Sequence, residues 1–89
     1  MARLIFTQQL ARLTEVPDID TRAPTLRGAL ESAFAANPRL RGYILDEQGH
    51  LRANVAIFID GLRVHDRIGL DQAIGSSSSI YVMQALSGG

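Results

Sequence analysis

The sequence predicts an α+β domain in which a sheet packs one face against a single main helix. Three observations carry this. The stretch from Thr25 to Asn37 shows one apolar stripe at helical spacing. Short runs rich in branched and aromatic residues flank it on both sides and alternate with period two. The chain has 89 residues, enough for one thin core between two layers. One helix covers one face of a sheet and leaves the other open.

Taken in order, Leu4-Ile5-Phe6 reads as a first strand, and Gln8 to Arg12 holds a turn. Thr14 to Asp20 reads as a second strand. Pro17 inside it has no N–H to give a ladder, so this strand is expected at an edge. In the helix, Leu26, Ala29, Leu30, Ala33 and Phe34 fall at i, i+3, i+4, i+7 and i+8. Thr25 is its candidate N-cap, and Asn37-Pro38 ends it. Residues 39–54 are expected to form a small hairpin or loop around Asp46 to Gly49. Val55 to Ile59 is a strand, Asp60-Gly61 a tight turn, and Leu62-Arg63-Val64 the returning strand. Ile68-Gly69-Leu70 begins a short turn or helical segment ending near Ile74. Gly75 to Ser79 is a loop, and Ile80 to Ala85 the last strand.

Strand alternation assigns two faces. Leu4, Phe6, Val55, Ile57, Ile59, Ile80 and Val82 match the helix stripe and form the expected core. Ile5, Phe58, Tyr81 and Met83 point the other way, with Thr7, Ala56 and Ala85. A water-facing sheet surface is normally polar. This second apolar set therefore marks an expected protein-binding surface, unless the 39–54 loop folds over it.

Composition removes several functions. There is no cysteine, hence no disulfide framework, zinc-cysteine site or thiol nucleophile. Nine basic and nine acidic side chains balance, which argues against a nucleic-acid partner. No apolar run approaches a membrane span or a signal peptide, so a cytoplasmic protein without membrane contact is expected. With 46% hydrophobic and 20% charged residues the chain is not compositionally disordered. All nine basic residues are arginine. Base composition of the gene accounts for that, and so would a chain carrying an activated acyl group that an ε-amine would attack.

No catalytic constellation is visible. His50 and His65 lie fifteen residues apart without a metal-ligand pattern, Ser76 to Ser79 lack a nucleophile-elbow pattern, and Gly61, Gly69 and Gly75 do not assemble a phosphate loop. The chain is not expected to be an enzyme or to bind a metal or cofactor. The remaining feature is the end, Leu86-Ser87-Gly88-Gly89. Glycines lack a Cβ, so an extended pair can enter a narrow channel and present its carboxylate to another active site.

Together these residues bring a family into view. The chain resembles the MoaD/ThiS family of ubiquitin-like sulfur carrier proteins over essentially its full length. The likeness rests on Arg3-Leu4-Ile5-Phe6, on Thr25 to Leu30 through Asn37-Pro38-Arg39-Leu40, on Val55 to Gly61, on Gly69-Leu70 with the Ile80–Val82 strand, and on Ser87-Gly88-Gly89. It implies a β-grasp fold over residues 1–86, a mixed sheet of four to five strands on one main helix, with a flexible tail over 87–89. It also implies that Gly89, with Gly88, is adenylated by a ubiquitin-activating-type enzyme and becomes a thiocarboxylate. Ser87 and Leu86 belong to the same tail. ATP is used by that partner. A sulfur donor such as a cysteine desulfurase or rhodanese, and an acceptor biosynthetic enzyme, complete the implied set. Many relatives carry an acidic loop before the last strand and a proline near the tail, whereas this chain has four serines and Gln84-Ala85-Leu86. Molybdopterin, thiamine, cysteine and similar pathways therefore all stay open. Two other readings stand beside the carrier: a ubiquitin-like modifier attached to lysines through Gly89, and a non-catalytic β-grasp interaction module.

Overall fold

A computed structural model describes residues 1–7 and 18–84. Five strands and two helices occur among them: β1 (Ala2–Phe6), β2 (Asp18–Thr21), α1 (Leu26–Ala36), α2 (Arg39–Ile44), β3 (Val55–Ile59), β4 (Leu62–Arg63) and β5 (Ser79–Gln84). The strands form one mixed sheet in the order β2-β1-β5-β3-β4. β1 and β5 pair in parallel at its centre, and the other pairs are antiparallel. The described part of the expected proline-bearing strand is β2, and it lies at an edge. Val16 and Pro17, like the turn expected over Gln8 to Arg12, fall outside the described residues.

The helix forms where the stripe predicts it. Leu26, Ala29, Leu30, Ala33 and Phe34 are all buried. Leu4, Phe6, Val55, Ile57, Ile59, Ile80 and Val82 meet them from the sheet in one core cluster. The first turn of a helix leaves N–H groups without intrahelical partners. Three different acceptors take them here. Thr25 Oγ1 accepts from the Gly28 N–H at 3.2 Å. The carbonyls of Gln72 and Leu70 accept from Leu26 and Arg27 at 2.9 and 2.7 Å.

Those carbonyls correct one expectation. Ile68 and Gly69 form a turn, as one of the two expectations had it, but residues 71–74 then run along the N-terminus of α1 rather than as a helical segment, with Ala73 bridging Thr25 and Ile74 donating to Pro24. A helical segment would use its carbonyls internally, whereas a non-helical one presents them to α1. Residues 39–54 bring a second correction. Their first part is the helix α2, not a hairpin strand, and Leu40 and Ile44 on consecutive turns are buried in the core. Only Leu45 and Leu51 bridge around the Asp46 to Gly49 turn, where Gly49 takes φ +79°.

The tight turn after β3 is as expected. Asp60 and Gly61 adopt φ of 50° and 85°, the two left-handed positions of a hairpin turn that follows the right-handed twist of its strands. No described helix is long and apolar enough to cross a membrane.

Candidate functional site

The sheet face opposite α1 carries the four apolar residues singled out above. Register brings three of them into one line across the sheet: Ile5 lies opposite Tyr81, and Tyr81 opposite Phe58. Met83 stands one step further along β5, opposite Ala56. Tyr81 and Met83 are each 39% exposed, while Ile5 and Phe58 are half-buried. The 39–54 segment does not cover this face. Its apolar residues Leu40, Ile44, Leu45 and Leu51 join the core cluster instead.

The same line continues to both edges and ends in charge. Asp18 of β2 pairs with Ile5, and Arg63 of β4 pairs with Phe58. The sequence places Arg63 in the returning strand, but its place beside Phe58 follows only from the register of the Asp60-Gly61 turn. Neither Asp18 nor Arg63 makes an ion pair among the described residues. Next to them, Arg3 Nε lies 3.3 Å from Asp20 Oδ1. Asp60 Oδ1 accepts from the Ser79 N–H at 2.9 Å.

β5 points the chain toward its tail. It is the middle strand of the sheet, paired with β1 as far as Val82 and with β3 as far as Gln84. Leu86, Ser87, Gly88 and Gly89 lie outside the described residues, as does Ala85.

The other polar candidates have structural partners. Ser78 is buried, and its Oγ accepts from the Gly75 N–H at 2.9 Å, closing the serine turn. Asp66 accepts from three successive N–H groups, those of Ile68, Gly69 and Leu70, at 3.1, 3.1 and 3.2 Å. These bonds, with Arg27 nearby, hold its carboxyl below the usual carboxylate range. Asp46 is lowered in the same direction, first by its bond from the His50 N–H and also by that from Gln48. Among the described residues no three His, Cys, Asp or Glu side chains gather as a metal site.

No protein-family model matches the sequence, and no curated relative matches it. Solved structures do. CysO of Amycolatopsis orientalis, seen in a complex with BexX, superposes with a TM-score of 0.86 at 12% identity, covering 100% of both chains. CysO of Mycobacterium tuberculosis gives 0.83 at 19% identity, covering 97% of this chain and 100% of that one. Small archaeal modifier protein 1 of Haloferax volcanii gives 0.80 at 19% identity, covering 99% and 98%. The fold is the β-grasp. This is the ubiquitin-like architecture that the family resemblance implies, and the β-grasp domain matches its neighbours from end to end. At these identities the likeness concerns the fold.

Proposed function

We propose that this β-grasp protein is a sulfur carrier whose working group is the carboxylate of Gly89. The observation that supports it most is the pairing of two features: a ubiquitin-like fold whose central strand runs to Gln84, and Gly88 and Gly89 four and five residues beyond. A central strand held by β1 to Val82 and by β3 to Gln84 gives the tail a fixed point of departure, so a partner that docks on the sheet receives the tail at a defined place. A carboxylate is a poor electrophile. Its oxygen attacks the α-phosphorus of ATP in the active site of a ubiquitin-activating-type partner, releasing pyrophosphate and leaving an acyl-adenylate. A persulfide from a cysteine desulfurase or rhodanese displaces AMP. A second thiol attacks the donor-side sulfur of the resulting acyl disulfide, breaking the S–S bond and forming a disulfide with the donor, and so releases the thiocarboxylate, which passes its sulfur to an acceptor biosynthetic enzyme. The carrier supplies no catalytic side chain to these steps. Ile5, Phe58, Tyr81 and Met83 form the surface on which the activating enzyme docks, and the tail from Leu86 to Gly89 enters its channel.

Intact mass spectrometry tests this reading. The isolated protein is weighed first, which establishes whether Gly89 carries the free carboxylate. It is then incubated with its activating enzyme, ATP and a sulfur donor. The expected product is heavier by the difference between one sulfur and one oxygen. An unchanged mass, with an enzyme active on a control carrier, overturns the reading.

The likeness to a small archaeal modifier protein favours a second reading, conjugation of Gly89 to lysines of other proteins. Gly-Gly remnants on target lysines in cell digests would support it. Deleting Gly89 separates both from an inert interaction module, which alone predicts no change in pathway product.

A further inference from the structure

The line of residues across the outer face is complementary to itself. From edge to edge it reads Asp18, Ile5, Tyr81, Phe58, Arg63. It carries a negative charge at one end, a positive charge at the other and three apolar residues between. The central residue Tyr81 sits on the middle strand of five. A two-fold axis running along β5, in the plane of contact, exchanges the two ends of this line while keeping its height on the sheet. Tyr81 then meets Tyr81 of a second copy once, on the axis, while Ile5 meets Phe58 and Asp18 meets Arg63 twice each.

The neighbouring line obeys the same rule. Arg3 pairs with Ser79 on β5, and Asp60 takes the place on the far side of Ser79, its N–H donating to the Ser79 carbonyl at 2.9 Å. The same two-fold brings Arg3 over Asp60 of the second copy. Arg3 is already paired with Asp20 and the Asp60 carboxylate with the Ser79 N–H, so the Asp18–Arg63 line carries the charge match that an isologous interface requires.

We propose that the outer face associates with a second copy of this chain, as a weak face-to-face dimer. Size sets its strength. Strands about 4.8 Å apart and about 3.3 Å per residue give an apolar and charged face of roughly 300 Å². Stable complexes bury about 800 Å² per partner. The dimer is thus transient and dissociates on dilution. Twist turns facing sheets by about 30° relative to each other, an offset that the long side chain of Arg63 spans. In the dimer Tyr81 and Met83 are covered, so self-association competes with any other protein that docks on this face.

Sedimentation velocity over micromolar to millimolar concentration, at low salt, tests the proposal on the full chain. The wild type shows a concentration-dependent dimer. Asp18→Arg places like charges together at both symmetric positions and weakens the dimer about tenfold, as does Arg63→Asp. The double variant Asp18→Arg/Arg63→Asp pairs opposite charges again and returns to within about threefold of wild type. Far-UV circular dichroism checks that each variant is folded. A wild type that remains monomeric to millimolar concentration overturns the proposal. So does a double variant that dimerises no better than either single variant.

Discussion

Arg27, in the first turn of α1, donates to the carbonyl of Gly69 from Nε at 2.9 Å and to that of Ile68 from Nη2 at 2.8 Å. The same Nη2 reaches the carbonyl of Gly49 at 3.1 Å. One guanidinium thereby ties the helix to two turns that are distant from it in sequence. Leu70 at the end of one of these turns adopts φ 53°, a conformation that a leucine rarely takes without such support. Arg27→Met keeps much of the apolar stem and removes the three bonds. It should lower unfolding free energy by about 2 kcal/mol in urea titration. Arg27→Lys, which keeps the charge but lacks the fork, should recover only part of this.

The two aspartates whose carboxyls are lowered by backbone N–H groups, Asp46 and Asp66, contribute to the acid limb of stability. Each binds its proton less readily in the folded than in the unfolded chain, where the carboxyl titrates near about 3.9. Their stabilisation is therefore complete above that value and is lost as pH falls through the lower folded pKa. The melting temperature should fall below about pH 4. Asp66→Asn keeps an acceptor for the turn without a titrating charge, and should flatten that decline when melting is followed across the acid range.

Phe34 is 4% exposed and closes the core beneath the Arg41 guanidinium, 4.9 Å above its ring. Phe34→Ala should cost about 3–5 kcal/mol by denaturant titration. In a domain this small that removes most of the stability. Arg41→Ala should cost far less, because that side chain also pairs with Glu31 at an exposed position.

Gly61→Ala isolates a conformational cost. A Cβ there meets no atom within 4 Å, yet φ is +85°. The loss should be about 1 kcal/mol, arising from backbone strain alone. A D-alanine at the same position, introduced by chemical synthesis, should not show it.

Met83→Asp tests the docking face. Its side chain points away from the core and is 39% exposed, so unfolding should change by less than about 1 kcal/mol. Titration with the activating enzyme should show markedly weaker binding. A strongly unfolded variant would contradict the face assignment.

Where burial follows a local period, the fold was legible in the sequence. The Leu26 to Phe34 stripe and the alternation in Val55 to Ile59 each record which side meets the core, and both faces could be read from them. α2 was not legible because its six residues offer only Leu40 and Ile44 as a pattern, with Gly42 between them. The non-helical course of 70–74 was illegible for another reason. Its carbonyls serve α1, some forty residues earlier in the chain, as at Arg27 and Leu70, and no local spacing encodes such a relation. At the candidate site, the apolar members were visible by parity. Asp18 and Arg63 became part of it only through cross-strand register. The Gly88-Gly89 tail was conspicuous in the sequence and lies outside the described residues.

The parallel pairing of β1 with β5 has a mechanical consequence. Arg3 to Phe6 lie beside Ser79 to Val82 in the same direction. Tension between Ala2 and Gln84 therefore pulls the two strands past each other along their length. It loads the whole ladder at once rather than parting its bonds one after another. A domain towed by its final strand resists as a unit, and then yields in a single step.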